Sequence, residues 1–104
     1  PDLVISLHAN YSNDRERNGV EVYVAENDYT MKSSYFGTKI LESFKRKDFK
    51  TSALKSANFF LLKNLKCPAV TVELGFLSNS EDMKYLNSDF GQKFLAKQIA
   101  SSLD

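Results

Sequence analysis

The 104-residue chain has no tryptophan, a single cysteine (Cys67) and a single histidine (His8). One cysteine excludes an internal disulfide, and one cysteine with one histidine excludes a zinc finger or any metal cage built from those residue types alone. A metal site in this chain would need carboxylates, or ligands that the chain lacks. At this length the chain has room for one hydrophobic core and not for a second domain.

Excess charge and long apolar runs are also missing. With 14 Lys+Arg against 13 Asp+Glu, the formal net charge of +1 gives no long-range attraction to nucleic acid or to anionic lipid. The lysine-rich stretch 45–66 fits a solvated face over core aromatics, so we expect no nucleic-acid partner. No apolar run approaches the ~20 residues of a membrane span, and the first residues do not form a secretory signal.

The hydrophobic pattern alternates between strand-like and helix-like segments. Two runs of aliphatic and β-branched residues, 3–8 and 69–74, are typical of strands buried on both faces of a parallel sheet. Alternating valines predict a half-buried strand, and apolar residues at helical spacing predict amphipathic helices, one of them begun by a Ser78–Glu81 capping box. The predicted fold class is therefore α/β, a mostly parallel sheet with flanking helices. The predicted strands are 3–8, 20–25, 59–62 and 69–74, and the predicted helices are 33–46, 78–86 and 88–103.

Two polar residues lie at the carboxyl ends of the buried strands, His8 on the first and Glu73 on the last. In open α/β sheets, ligands bind in the crevice beyond these ends. His8 taken alone is more simply a hydrogen-bonded histidine at a strand end. Burying an unpaired carboxylate is costly, so Glu73 must pair, bind a cation, or have a raised pKa suited to a general base. Together the two residues predict a functional site at one rim of the sheet.

Cys67 is a competing candidate, because a cysteine and a histidine are the minimum parts of a thiol nucleophile. However, Cys67 enters its strand whereas His8 leaves its own, so parallel strands would put the two side chains at opposite edges of the sheet. We therefore interpret Cys67 as a buried, inert thiol.

Residues 1–10 (PDLVISLHAN) and 68–82 (PAVTVELGFLSNSED) resemble two segments of the zinc-dependent N-acetylmuramoyl-L-alanine amidases. Residues 19–23 (GVEVY) resemble the strand that follows the first segment in that family, and 85–87 (YLN) with the final helix follow in the expected order. The resemblance covers essentially the whole chain. It implies a phosphorylase/hydrolase-like amidase fold truncated at its N-terminus, with 1–104 as the C-terminal part of a single catalytic domain.

The resemblance also implies a chemistry. In these amidases a His and a Glu from early segments and the His of the His-Ala-Asn segment hold zinc, and the Glu of the Val-Glu-Leu-Gly-Phe segment is catalytic. Carried over, His8 is a zinc ligand and Glu73 is the catalytic base. Asn10 matches the motif too, and either forms a turn after the strand or makes a hydrogen bond that orients a residue of the site. The substrate would be peptidoglycan, cut by zinc-activated water between the lactyl group of N-acetylmuramic acid and L-alanine of the stem peptide.

One departure from the family pattern is large. The other His and Glu ligands have no counterpart here and would lie upstream of Pro1, where the chain starts without an initiator methionine. We therefore interpret the chain as a fragment of an enzyme, and predict that the fragment alone is inactive and binds zinc weakly or not at all. Surface exposed by truncation would favour a dimer.

Three points stay open at the level of sequence. The alternative function is a non-catalytic peptidoglycan-binding or interaction domain that keeps the amidase fold without the metal. The charged loop Asn13 to Asn18 is more simply a solvated loop than a contact with the glycan strand. The sequence shows no targeting signal, so a location in the periplasm, in the cell envelope or outside the cell is implied by the resemblance alone.

Overall fold

The computed structural model describes residues 2–57 and 60–104. Within these ranges four strands form one mixed sheet, and helices flank it. The strands are β1 (Val4–Asn10), β2 (Glu21–Val24), β3 (Lys55–Ser56) and β4 (Ala69–Phe76), and the helices are α1 (Thr30–Arg46), α2 (Phe60–Lys63), α3 (Ser80–Leu86) and α4 (Asp89–Ser102).

The strand order across the sheet is β1-β4-β2-β3. β1 pairs with β4 in parallel, β2 pairs with β4 in antiparallel fashion, and β3 runs parallel to β2. Because β2 is reversed, its first residues lie beside the carboxyl end of β4, at the same end of the sheet as the carboxyl end of β1. The predicted α/β class and the predicted parallel pairing of the first and last strands are confirmed.

The two faces of the sheet differ sharply in chemistry, because side chains alternate along each strand. One face carries valines such as Val22, Val70 and Val72, all buried, and packs against α1. Helix α4 packs on α1 and α3, and Leu95 and Ile99 on its apolar side join the same core. The resulting core consists of Val20, Val22, Val24, Ile40, Leu41, Phe44, Val70, Val72, Leu95 and Ile99.

The opposite face is mostly polar. Only a small apolar cluster, made of Ala25, Leu62 and Ala69, covers one end of it, below α2. The rest of this face presents the side chains of residues such as His8, Glu73 and Glu21, and it forms the floor of the candidate site described below.

Some local predictions were wrong. Residues 60–62 of the run 59–62, interpreted as a strand, belong to the short helix α2, because an apolar run of this length is compatible with either structure; Phe59 lies outside the described residues. The cap of α3 is Asn79, whose side chain accepts a hydrogen bond from the backbone of Asp82, and not Ser78. Ser78 instead accepts a hydrogen bond from the backbone N–H of Ser12.

The fold does not test the expected dimer. Among the described residues, β1 is an edge strand with no strand paired on its outer side. Since an unpaired edge alone does not show a partner chain, the dimer stays a prediction. In residues 2–57 and 60–104, no helix is long and apolar enough to cross a bilayer.

Candidate active site

His8 and Glu73 are direct neighbours in the parallel β1–β4 pairing. Apolar runs on both sides of the pairing fix this register, since a slip by one residue would turn every valine of β4 to the wrong face. Both side chains consequently point to the polar face, at the rim predicted from the sequence. Their roles in catalysis remain predictions at this point, whereas their proximity is a feature of the fold.

The carboxylate of Glu73 is unusual because one of its oxygens is buried without a partner. Oε2 of Glu73 has no hydrogen-bond partner among the described residues. Burial raises the pKa of Glu73, the nearby His8 opposes this effect, and the negative charge of Glu21 adds to it; the net pKa is higher than usual. A carboxyl in this state is suited to accept and hold a proton.

His8 is more exposed than Glu73. Its Nε2 lies 2.7 Å from Oγ of Ser6, at hydrogen-bonding distance, with the donor set by the tautomer of the ring. Ser6 lies two residues earlier on the same strand and therefore on the same face, so its hydroxyl orients the imidazole. An exposed, oriented imidazole of this kind suits a metal ligand.

The rim beyond Glu73 is shaped by a β-bulge. Between the register pairs His8–Glu73 and Asn10–Phe76, β4 contains one more residue than β1. Gly75 lies in this bulge, and a Cβ there would approach Oδ2 of Asp82 to 3.2 Å. The bulge thus brings the end of β4 close to the first turn of α3.

The side chain of Asp82 links this rim to the loop that precedes β2 through hydrogen bonds. Its Oδ2 accepts hydrogen bonds from the backbone N–H groups of Gly19 and Phe76, each at 2.9 Å. A second tie runs from the side-chain amide of Asn79 to the carbonyl of Arg15. The loop 11–19 is therefore anchored to the rim at Arg15 and Gly19, while residues 13–17 are exposed to solvent.

A second carboxylate, Glu21, is the main feature of the site that sequence reasoning missed. Glu21 is 6% exposed and is the direct cross-strand neighbour of Glu73. Its Oε1 accepts hydrogen bonds from Asn10 at 3.1 Å and from the hydroxyl of Tyr23 at 2.9 Å. Its Oε2 accepts from Arg17 at 3.0 Å and from Lys55 at 2.7 Å. We call these five residues the Glu21 cluster.

The pKa values of the two carboxylates of the site, Glu21 and Glu73, are shifted in opposite directions. Burial alone would raise the pKa of Glu21, but hydrogen bonds from Lys55 and Tyr23 and the charges of Lys55 and Arg17 outweigh it and lower that pKa. Burial, together with the hydrogen bond to Glu21 and its charge, raises the pKa of Tyr23 to about 12. Glu21 is therefore a fixed anion beside Glu73, whose pKa shifts upward.

The structure also locates the two other residues singled out from the sequence, Asn10 and Cys67. Asn10 lies at the end of β1 and not in a turn; its Oδ1 accepts a hydrogen bond from the N–H of Tyr11, and its side-chain amide donates to Glu21, so of the two roles considered for it the structure has the supporting contact. Cys67 is buried with a free thiol, two residues before β4 begins and so at the end of the sheet opposite to His8, as predicted.

A complete metal-binding site is not present in the part of the chain that the structure describes. Among residues 2–57 and 60–104, no group of three or more His, Cys, Asp or Glu side chains is arranged to hold a metal ion. His8 is available as one ligand, and a complete set would need further groups.

Comparison with known proteins identifies the family. Residues 1–104 match the sequence model of the family described as N-acetylmuramoyl-L-alanine amidase. The chain belongs to this family, and the predicted resemblance is confirmed.

Individual relatives include one protein described as uncharacterized and two solved structures described as amidases. YqiI of Bacillus subtilis (strain 168) is 29% identical over 108 residues, covering 99% of this chain and 50% of YqiI. The catalytic domain of the amidase CwlV from Bacillus (Paenibacillus) polymyxa var. colistinus has a TM-score of 0.85 at 26% identity, with 98% of this chain and 55% of that domain covered. The CwlD amidase of Clostridioides difficile, solved in complex with the GerS lipoprotein, has a TM-score of 0.90 at 25% identity, with 98% and 52% covered. This chain thus spans about half the length of these relatives.

Proposed function

We propose that the protein containing this chain is a peptidoglycan hydrolase. It cleaves the amide bond between the lactyl group of N-acetylmuramic acid and L-alanine of the stem peptide, and residues 1–104 form the C-terminal part of its single catalytic domain. The observation that carries this proposal is the partnerless buried oxygen of Glu73 beside His8, in a chain of the N-acetylmuramoyl-L-alanine amidase family.

Members of this family generally use zinc, and the residues of this chain suit part of such a centre. We assign His8 as one ligand, because its ring is exposed and oriented at the rim next to a carboxylate without a partner. The other ligands would come from residues outside the 104 of this chain. When bound, zinc would polarise the amide carbonyl and lower the pKa of a water molecule.

Glu73 is assigned as the general base and acid. It would take a proton from the attacking water and deliver it to the nitrogen of L-alanine as the C–N bond breaks, which leaves a lactyl carboxylic acid and a free amine. The upward shift of its pKa supports this role, because the carboxyl must hold the proton between the two transfers.

Substrate and location follow from the same proposal. Peptidoglycan would lie across the polar face, which α1 and α4 leave uncovered on the opposite side of the sheet. An enzyme with this substrate works in the periplasm, in the cell envelope or outside the cell, and we propose that location for this protein.

The test compares two glutamates of this chain in the full-length protein. The variant Glu73→Gln removes the proposed base, and Glu81→Gln changes an exposed glutamate at the start of α3. The assay labels new free amines of L-alanine released from purified cell walls. We expect Glu73→Gln to lose at least about 100-fold in rate while keeping its zinc, and Glu81→Gln to match the parent protein.

A zinc measurement provides an independent readout. We expect His8→Ala to lower the zinc content of the full-length protein, and the isolated 104-residue chain to bind zinc weakly and to be inactive. A zinc-loaded Glu73→Gln form that released amines as fast as the parent would refute the role of Glu73. A full-length protein that bound cell walls but neither held zinc nor released amines would support the non-catalytic alternative instead.

A further inference from the structure

The Glu21 cluster places two cations next to the proposed catalytic carboxylate. Arg17 and Lys55 both donate to the same oxygen of Glu21, at 3.0 Å and 2.7 Å. The anion is buried, whereas the side chains of Arg17 and Lys55 are 48% and 37% exposed. Both cations are therefore anchored on their inner side and open to solvent on their outer side.

Each of these cations is also held by an aromatic ring. The guanidinium of Arg17 lies 4.9 Å from the ring centroid of Phe76, and Nζ of Lys55 lies 5.7 Å from that of Tyr23. Cation–π contacts of this kind restrict long side chains that are otherwise mobile. The positions of the two charges are thus set before any ligand arrives, which lowers the entropic cost of binding.

The charges of the cluster do not cancel. Glu21 contributes one negative charge against the positive charges of Arg17 and Lys55, so one positive charge remains. Arg17 has five N–H donors and Lys55 has three, and each donates once to Glu21. A carboxylate can accept from both side chains at once, and charge-assisted bonds of this type are stronger than neutral ones.

A groove beside the cluster gives a ligand access to Arg17. It has a volume of about 190 Å³ and includes Arg17, Glu21 and a further lysine, Lys50, among its walls, whereas Lys55 reaches the solvent outside this groove. The groove therefore extends the positive surface without adding a competing carboxylate besides Glu21.

We propose that Arg17 and Lys55, held by Glu21, form a binding site for a carboxylate of the stem peptide. This inference rests on the proposed function and specifies which substrates that function prefers. Lys55 lies two strands from Glu73 and two residues further along the sheet, so the Cα atoms of the two residues are about 12 Å apart. An extended peptide covers that distance in about three residues, so the bound carboxylate belongs to the second or third residue after the scissile bond.

The test is a binding measurement with two soluble muropeptides. They are identical except that the carboxylate at this point of the stem peptide is free in one and amidated in the other. Isothermal titration calorimetry uses the full-length protein carrying Glu73→Gln, so that neither muropeptide is cleaved. We expect the acidic muropeptide to bind about tenfold more tightly than the amidated one.

Three further variants, each combined with Glu73→Gln, test whether the Glu21 cluster causes this difference between the two dissociation constants. Lys55→Gln should bring the ratio of the two dissociation constants close to one, and Lys55→Arg should keep most of it because the charge remains. Lys97→Gln, which removes an exposed lysine of α4 on the other side of the sheet, should leave the ratio unchanged.

The outcomes separate this inference from the proposed function. Equal affinity for the two muropeptides, no measurable binding of either, or a ratio that survives Lys55→Gln would overturn the carboxylate site. If the unsubstituted protein cleaved neither muropeptide and the tenfold ratio persisted, the proposed amidase activity would fail and the carboxylate site would stand.

Discussion

Asp82 holds the rim of the site together, and its removal should cost the protein a measurable part of its stability. In Asp82→Ala, the N–H groups of Gly19 and Phe76 both lose their acceptor, each from a bond of 2.9 Å. Leaving a buried donor unsatisfied costs about 1 to 3 kcal/mol, and half-buried groups lie at the lower end. Asp82 also lies in the first turn of α3, where a carboxylate contributes about 0.5 kcal/mol. We expect a total loss of about 3 kcal/mol.

Two matched variants separate the contributions. Asp82→Asn keeps an oxygen in place for both N–H groups and loses only the charge, so we expect it to cost about 1 kcal/mol. Glu81→Ala removes an exposed carboxylate from the same helical turn, without the bonds to Gly19 and Phe76, and should cost about 0.5 kcal/mol or less.

The assay is urea unfolding of the full-length protein followed by circular dichroism, together with amide hydrogen exchange at Gly19 and Phe76. Exchange at these two amides should accelerate in Asp82→Ala well before the rest of the domain is affected. The reasoning fails if Asp82→Ala costs no more than Glu81→Ala, or if Asp82→Asn costs as much as Asp82→Ala.

Two other predictions concern the backbone and the thiol. Gly19 has φ of 105°, and a Cβ there would lie 2.4 Å from the carbonyl oxygen of Lys50; Gly19→Ala should therefore lower the free energy of unfolding by about 2 to 3 kcal/mol, and an unchanged urea midpoint would contradict this. Cys67 is 7% exposed, so its reaction with a thiol reagent should be on the order of 100-fold slower in native protein than in urea, as followed by absorbance. Stoichiometric labelling of native protein within seconds would show an accessible thiol.

The central part of the fold was predictable because its pattern is local. The apolar runs of β1 and β4 are nearly continuous, which is typical of strands paired in parallel. The expected burial on both faces holds for the first half of β4 but is wrong for β1, where Leu7 is 53% exposed because β1 is the edge strand. Parallel pairing of two such strands then brings His8 and Glu73 to the same end, which the structure confirms.

Other parts were not predictable, because they depend on partners distant in sequence. β3 consists of Lys55 and Ser56, which have no periodicity of their own and become a strand through pairing with Tyr23 and Val24. Residues 60–63 form a helix that a four-residue apolar run does not distinguish from a strand.

Glu21 was missed for a related reason. The alternation of valines in β2 does turn Glu21 to the polar face, and this was a usable signal. The strand order was the missing information, since only the insertion of an antiparallel β2 beside β4 makes Glu21 a neighbour of Glu73. No local pattern in the sequence encodes that order.

The division of the sheet into an apolar and a polar face has a consequence for how members of this family can diverge. Substitutions at Arg17 or Lys55 alter a surface that α1 and α4 do not touch, so the proposed carboxylate site can change without repacking of the core. The same separation makes the polar face a practical place to exchange residues between members of the family.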